Sequence, residues 1–306
     1  MTWSLVAVIL GYALLVPLGA VWYLRRVRVQ RPPVGVFNGR DIVVMMGFVL
    51  ALPYFYLALP GVVLPTLLAL VFAGGLTVGY QPVVRDTRAR WALILGLLAV
   101  DLTSHLVLGG DSPVYWLANS AVVGLIVISA TNLNVQGGVR LKNIAWFVLF
   151  LAVYDLVFAT VLPLTQELAQ AIQGYPFAPS AGLRIGELGG VVGMGDLLAY
   201  SLFTTAAYKA YGAVGMRLAL VLVVVFGAVV PGSVPVVVEA LVGTAPSLVP
   251  AQVFFGPAAF AGYLWLRRRG PERRMVEFLA AHAGPATAAR AVAAPRPNAA
   301  PVGEVS

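Results

Sequence analysis

The chain has 306 residues, 60% of them hydrophobic and only 10% charged, with a mean hydropathy of +0.90, which excludes a water-soluble globular domain and indicates a polytopic membrane protein. Its net charge of +8 sits in short clusters between apolar runs and in the C-terminal tail. That distribution belongs to topology signals and lipid headgroup contacts, so no nucleic-acid partner is expected. With no cysteine and two histidines the chain offers neither a disulfide framework nor a thiolate or His-rich metal site, and no metal or other cofactor is expected.

Apolar runs long enough to span, about 17 to 25 residues each, fall at 2–24, 41–59, 61–80, 91–109, 114–132, 144–164, 188–208, 217–238 and 246–266. The expected fold is therefore an all-α polytopic membrane protein with nine transmembrane helices. The first run is not read as a cleaved signal peptide, because "MTWSL" has no basic start and the Arg cluster follows the apolar stretch. Arg25, Arg26, Arg28, Arg31 and Arg40 follow run one; Arg85, Arg88 and Arg90 follow run three; Arg140 and Lys142 follow run five; Lys209 and Arg217 lie between runs seven and eight. More Arg follow run nine, while Arg184 is the only positive charge expected on the opposite side. The positive-inside rule then puts the N-terminus outside and the C-terminus in the cytoplasm. Residues 1–143 are read as a five-helix scaffold, 144–266 as the four-helix part that holds the chemistry, and 267–306 as a basic surface helix running into a disordered tail.

Within these runs, carboxylates are the residues that need a reason, since an ionised group in lipid is costly and marks a functional site by default. Asp101 lies one helical turn from His105 on run four, a pair that reads either as a proton relay or as a structural pair. Asp155 stands in "YDLVFATVL" on run six, and Asp196 in "VVGMGDLLAYS" on run seven. On a helical ruler Asp155 is about 18 Å above Asn143 at the inner face, about 12 Å short of the outer one, while Asp196 is about 13 Å below Glu187. The two carboxylates are thus level on antiparallel neighbours. A like-charged pair cannot readily ionise twice, so it holds one proton, the electronic arrangement of an aspartic protease. One carboxylate activates water and the other protonates the peptide carbonyl oxygen. Gly193 and Gly195, flanking Met194, weaken the helix and leave room for another backbone. Each residue also has a structural reading alone: Tyr154 as packing, the glycines as helix-contact residues, a single Asp as a hydrogen-bonded core group.

The pair "YD" at Tyr154-Asp155 and "GMGD" at Gly193 to Asp196, on consecutive runs of nine, resembles the YD and GxGD motifs of the presenilin and signal peptide peptidase family of intramembrane aspartyl proteases. The resemblance covers about residues 144–266. It implies a presenilin-like bundle with Asp155 and Asp196 as catalytic residues and Tyr154, Gly193, Met194 and Gly195 beside the substrate. The implied partners are the lipid bilayer and transmembrane-helix peptides; the expected location is a prokaryotic cell membrane, which the chain crosses several times. The family's third motif, Pro-Ala-Leu, which shapes the site and contacts substrate, is imperfect here. Its nearest match is Pro250-Ala251-Gln252 in "VPAQVFF", with "APSL" at 245–248 a poorer fit. Gln252 has an amide able to bond either a substrate backbone or an aspartate.

The loop between runs six and seven, about 165–186, is expected to open with an amphipathic turn in "TQELAQAIQ" and continue as a mobile gate in "GYPFAPSAG". Two alternatives stay open. A prepilin-type peptidase also uses a GxGD aspartate, but typically carries Lys two residues later, where this chain has Leu198. A proton-coupled transporter would use Asp101, His105, Asp155 and Asp196 as its relay, although neither inverted repeats nor paired broken spans are visible.

Overall fold

Helices form along most of the length of the apolar runs, because a helix satisfies every backbone polar group internally where no water can. The computed structural model describes residues 3–29, 39–60, 63–160, 175–185, 188–243 and 249–282, with Leu162 and Glu167. In chain order the elements are α1 (Trp3–Arg26), α2 (Gly39–Ala58), α3 (Val63–Tyr80), α4 (Thr87–Leu108), α5 (Pro113–Gln136), α6 (Leu141–Thr160), β1 (Ser180–Ile185), β2 (Leu188–Gly193), α7 (Met194–Leu222), a π-helical stretch (Val223–Val229), α8 (Val230–Val242), α9 (Gln252–Arg267) and α10 (Met275–His282). Seven helical elements among the described residues are long and apolar enough to cross a membrane, the last being the 49-residue continuation Met194–Val242. The protein is mostly helical and suited to multiple membrane passes.

That last element does not run straight. Gly212 has φ 65° and ψ −146°, a left-handed conformation that a side chain would oppose, and it breaks the helix into two arms. Tyr200 Oη on the first arm donates to Gly227 O on the second at 2.8 Å. A straight helix would hold residues 27 apart in sequence roughly 40 Å from each other. The arms therefore fold back as a hairpin, where the sequence places the break between runs seven and eight.

Helix α5 is the centre of the bundle, packed against α1, α3, α4, α7 and β1. Small polar residues pin it to its neighbours in place of a hydrophobic drive that lipid cannot supply. Asn132 Nδ2 donates to Ala20 O at 3.0 Å, and Gln136 both donates to Val27 O and accepts from Val29 N. Tyr23 Oη donates to Gly79 O at 2.6 Å, tying α1 to α3. Helix α2 packs against α6 and presents Val43, Val44 and Phe48 outward, a face suited to acyl chains. At the basic end, Lys209 Nζ donates to Val139 O, Glu272 accepts from the N–H of Leu141 at 2.7 Å, and Arg273 Nε donates to Ala210 O at 3.1 Å. The segment after α9 is thus bonded to the start of α6 and to the bend at Gly212, and it continues into α10, the expected surface helix.

Two expectations are corrected. Residues 188–193 are not the start of a membrane helix but strand β2, antiparallel to β1 with Ser180 opposite Gly193 and Ile185 opposite Leu188, so the protein is not purely α. "LGGVVG" has three glycines and two β-branched residues in six, which disfavour a helix and suit an extended chain. Of the stretch expected as a mobile gate, residues 175–179 are bends and irregular chain and only Ser180, Ala181 and Gly182 enter β1, while "TQELAQAIQ" lies outside the described residues except for Glu167. Helix α9 begins at Gln252 rather than near 246 and is 16 residues long. The alternative "APSL" and the tail after 282 also lie outside the described residues.

Candidate active site

Three helix ends converge on one point: the last turns of α6, the first turn of α7 and the first residue of α9. Gly193 ends β2 and is the N-cap of α7, with φ −61° and ψ 144°, so Met194, Gly195 and Asp196 are the first three helical positions. Asp196 therefore stands at the electropositive end of a helix, where unpaired backbone N–H groups favour a carboxylate. Its side chain turns back over Gly193, close enough that a Cβ there would come within 3.3 Å of Oδ2. The helical ruler from Glu187 does not hold, because six of the residues measured along it are extended.

Asp155, near the end of α6, lies within electrostatic reach of Asp196. Gln252 joins them. Its Nε2 donates to Asp196 Oδ1 at 2.7 Å, and its backbone N–H, unclaimed at the start of α9, lies against the Asp155 carboxylate. Gln252 is 3% exposed, and both aspartates are half-buried. Two acids held side by side by one residue can take a proton at one oxygen and give one at another.

Gly256, one turn into α9, makes this convergence possible. A Cβ there would lie 2.5 Å from Val148 O and 2.7 Å from Ala152 Cβ, so α9 meets the backbone of α6 directly. Trp146 against Phe260, at 4.7 Å between rings, closes the same contact lower down. Tyr200, one turn after Asp196, is buried, bonded to Gly227 O and packed edge-on against Phe255 at 4.7 Å, which fixes α7 against both the second arm and α9.

The remaining candidates divide. Pro250 and Ala251 form the lead-in turn of α9, their carbonyls accepting from Val253, Phe254 and Phe255, and they place Gln252. Gly195 is exposed with open space where a Cβ would stand, whereas Met194 is packed against the core. Tyr154 stacks on Phe158 at 4.3 Å, beside Tyr54 of α2; its ring is part of an aromatic group under the site. Asp101 and His105 are elsewhere, on α4 against α5, where His105 meets Tyr115 at 4.8 Å. No group of three or more His, Cys, Asp or Glu able to hold a metal is present among the described residues.

The strand edge beside Asp196 was not foreseen in the sequence. On β1, the outward groups of Gly182 are taken by Ser120 Oγ, which donates to Gly182 O at 3.1 Å and accepts from Gly182 N at 2.9 Å. Asn119 Nδ2 donates to Ser180 O at 2.8 Å and to Ala178 O at 3.0 Å. With that edge covered by α5, the other edge of the hairpin belongs to β2, and Val191 on it is 43% exposed, five residues before Asp196. The signal for this in the sequence is the adjacent polar pair Asn119-Ser120 in the outer half of a largely apolar run. Compared with known proteins, the chain matches no protein-family model and no curated protein.

Proposed function

We propose that this protein is an intramembrane aspartyl protease of presenilin-like architecture, hydrolysing peptide bonds of transmembrane helices with Asp155 and Asp196 as its acid–base pair. The observation that carries the reading is the bridge made by Gln252 between the two carboxylates at the start of α7 and α9. A structural Asp in a bundle needs one partner; two aspartates brought together, when each alone would be easier to bury, imply use. In the reaction one carboxylate takes a proton from water, whose oxygen adds to the peptide carbonyl. The other, protonated, donates to the carbonyl oxygen, and proton return to the amide nitrogen completes cleavage. The outer edge of β2 supplies a place for the substrate backbone, since a peptide must leave its helix before its carbonyl can be reached. Added as a strand beside Val191 and Gly193, it would run toward Asp196.

The nine-span count belongs to this reading. It takes the two arms about Gly212 as two passes and α9, about 24 Å long, as the ninth, short because its first residue is already at the site. With basic loops inside, the hairpin end faces outward. A Tyr175→Cys variant, labelled in right-side-out vesicles, should react with an impermeant maleimide from outside; reaction only after the inner face is opened would reverse the orientation.

Gln252→Ala should keep the fold and the backbone N–H at Asp155 but lose the bond to Asp196. A hydrogen bond to a charged group is worth about 1.5–3 kcal/mol, so kcat should fall about tenfold or more. An unchanged kcat would mean that the bridge does not serve catalysis. The transporter reading is tested beside it. Purified protein in liposomes with a single-span substrate should produce fragments, whereas proton flux without cleavage would favour transport. Asp101 and His105, which that relay would require, pack with Tyr115 on α5 rather than with the aspartate pair.

A further inference from the structure

Asp101 is completely buried, and neither carboxyl oxygen has a hydrogen-bond partner. The proposed reaction does not use it, and a buried carboxylate with no partner is among the most costly arrangements in a membrane interior. Its neighbours supply the missing half. Helices α4 and α5 are antiparallel, and the contact of His105 with Tyr115 sets their register. One turn deeper on each, four residues back along α4 and four forward along α5, are Asp101 and Asn119, which brings them to the same level about 6 Å below that ring pair. Asp101 also lies near enough to the Tyr115 hydroxyl to act on it electrostatically.

Asn119 is itself fully buried and half-satisfied. Its amide nitrogen gives both hydrogens away, to Ala178 O and Ser180 O, while its Oδ1 has no partner. The level therefore holds three acceptor oxygens, two on Asp101 and one on Asn119, and no donor among them. One proton resolves this. Carried by Asp101 as a neutral carboxylic acid, it removes the buried charge and supplies the donor that Asn119 Oδ1 lacks.

The carbonyls that Asn119 holds flank Pro179, and Pro179 O accepts from the N–H of Met194 at 2.9 Å, two residues before Asp196. Tyr115 Oη accepts from Ala178 N at 3.4 Å in the same segment. Phe177, with φ 61°, is held in the left-handed region that a bulky residue avoids, its ring buried against Phe72 at 5.9 Å between centroids. Such backbone persists only where its surroundings over-determine it. We propose that Asp101, as a carboxylic acid donating to Asn119 Oδ1, is a positioning residue that locks residues 178–180 and, through Pro179 and Met194, sets the place of Asp196. This rests on the reading of Asp196 as a reacting group only for its effect on turnover; the lock on the hairpin stands apart from it.

The test compares Asp101→Asn, neutral and still able to donate, with Asp101→Leu, neutral and unable to, in detergent-purified full chain. Amide hydrogen exchange over residues 175–194 should quicken about tenfold in the Leu variant and stay within about twofold of the parent in the Asn variant, as expected for one buried hydrogen bond. Cleavage should follow the same order, with kcat lowered and KM held in the Leu variant. Equal exchange in parent and Leu variant, or an Asn variant as impaired as Leu, overturns the proposal. Should the Leu variant not fold, infrared difference spectra decide: beside the band of the Asp155–Asp196 pair, the parent should show a carboxylic-acid carbonyl band that Asp101→Asn removes and Asp155→Asn leaves, and no band lost in Asp101→Asn also overturns the proposal. Asp155→Asn separates the two claims, because it should stop cleavage and leave the exchange unchanged. A chain without proteolytic activity still reports on the lock.

Discussion

Asp155→Asn and Asp196→Asn should each abolish cleavage while leaving a folded, monodisperse protein. Acid–base catalysis by a positioned group contributes about 10²–10⁴-fold, and in a pair that shares one proton neither member can act for the other, so each single substitution should cost the upper end of that range. Asn keeps the volume of Asp, and at 196 its carbonyl can still accept from Gln252, so the bundle has no reason to loosen. Turnover of a transmembrane peptide, measured beside thermal unfolding in detergent, checks both halves. Activity retained in either variant would remove the pair from the mechanism.

Gly256→Val should damage both fold and function. The added Cβ would press on Val148 O, a backbone atom that cannot rotate away, and on Ala152 Cβ. Overpacking of this kind costs about 1–3 kcal/mol, and relief comes only by moving α9 off α6, which carries Gln252 away from the aspartates. We expect a lower midpoint of thermal unfolding and a loss of turnover larger than stability alone explains, with Gly256→Ala intermediate. Gly195→Ala is the contrast, since nothing lies within 4 Å of its added atom. A Gly256→Val protein as stable and active as the parent would mean that close packing of α6 on α9 does not hold the site.

The helical passes were legible because lipid permits few other folds, and the break near Gly212 was visible as the polar stretch around Lys209 and Arg217 between two apolar runs. The juxtaposition of Asp155 and Asp196 was also legible, though through a ruler that fails: a run such as "ELGGVVG" is apolar enough to count toward a span, and hydropathy alone does not separate a glycine-rich strand from a helix. Length was the misleading criterion at α9 too, where Pro250 and Ala251 serve as a lead-in turn rather than as helix interior. Gln252 was visible as an amide near the site, but its double contact depends on a backbone N–H freed by the start of a helix, and therefore on knowing that start. Asn119 and Ser120 pass as ordinary small polar residues of a membrane helix until a strand edge is found beside them.

Under the proposed function, this chain alone adds water across a peptide bond inside a transmembrane helix. Detergent-purified protein, incubated with a synthetic transmembrane peptide in ¹⁸O-water and examined by mass spectrometry, tests it most directly. Two fragments are expected whose masses sum to the peptide plus one water, with a single ¹⁸O in the new C-terminal carboxyl group, and none from the Asp155→Asn or Asp196→Asn proteins. Peptide recovered intact from the parent protein, or fragments formed equally by both variants, would contradict it.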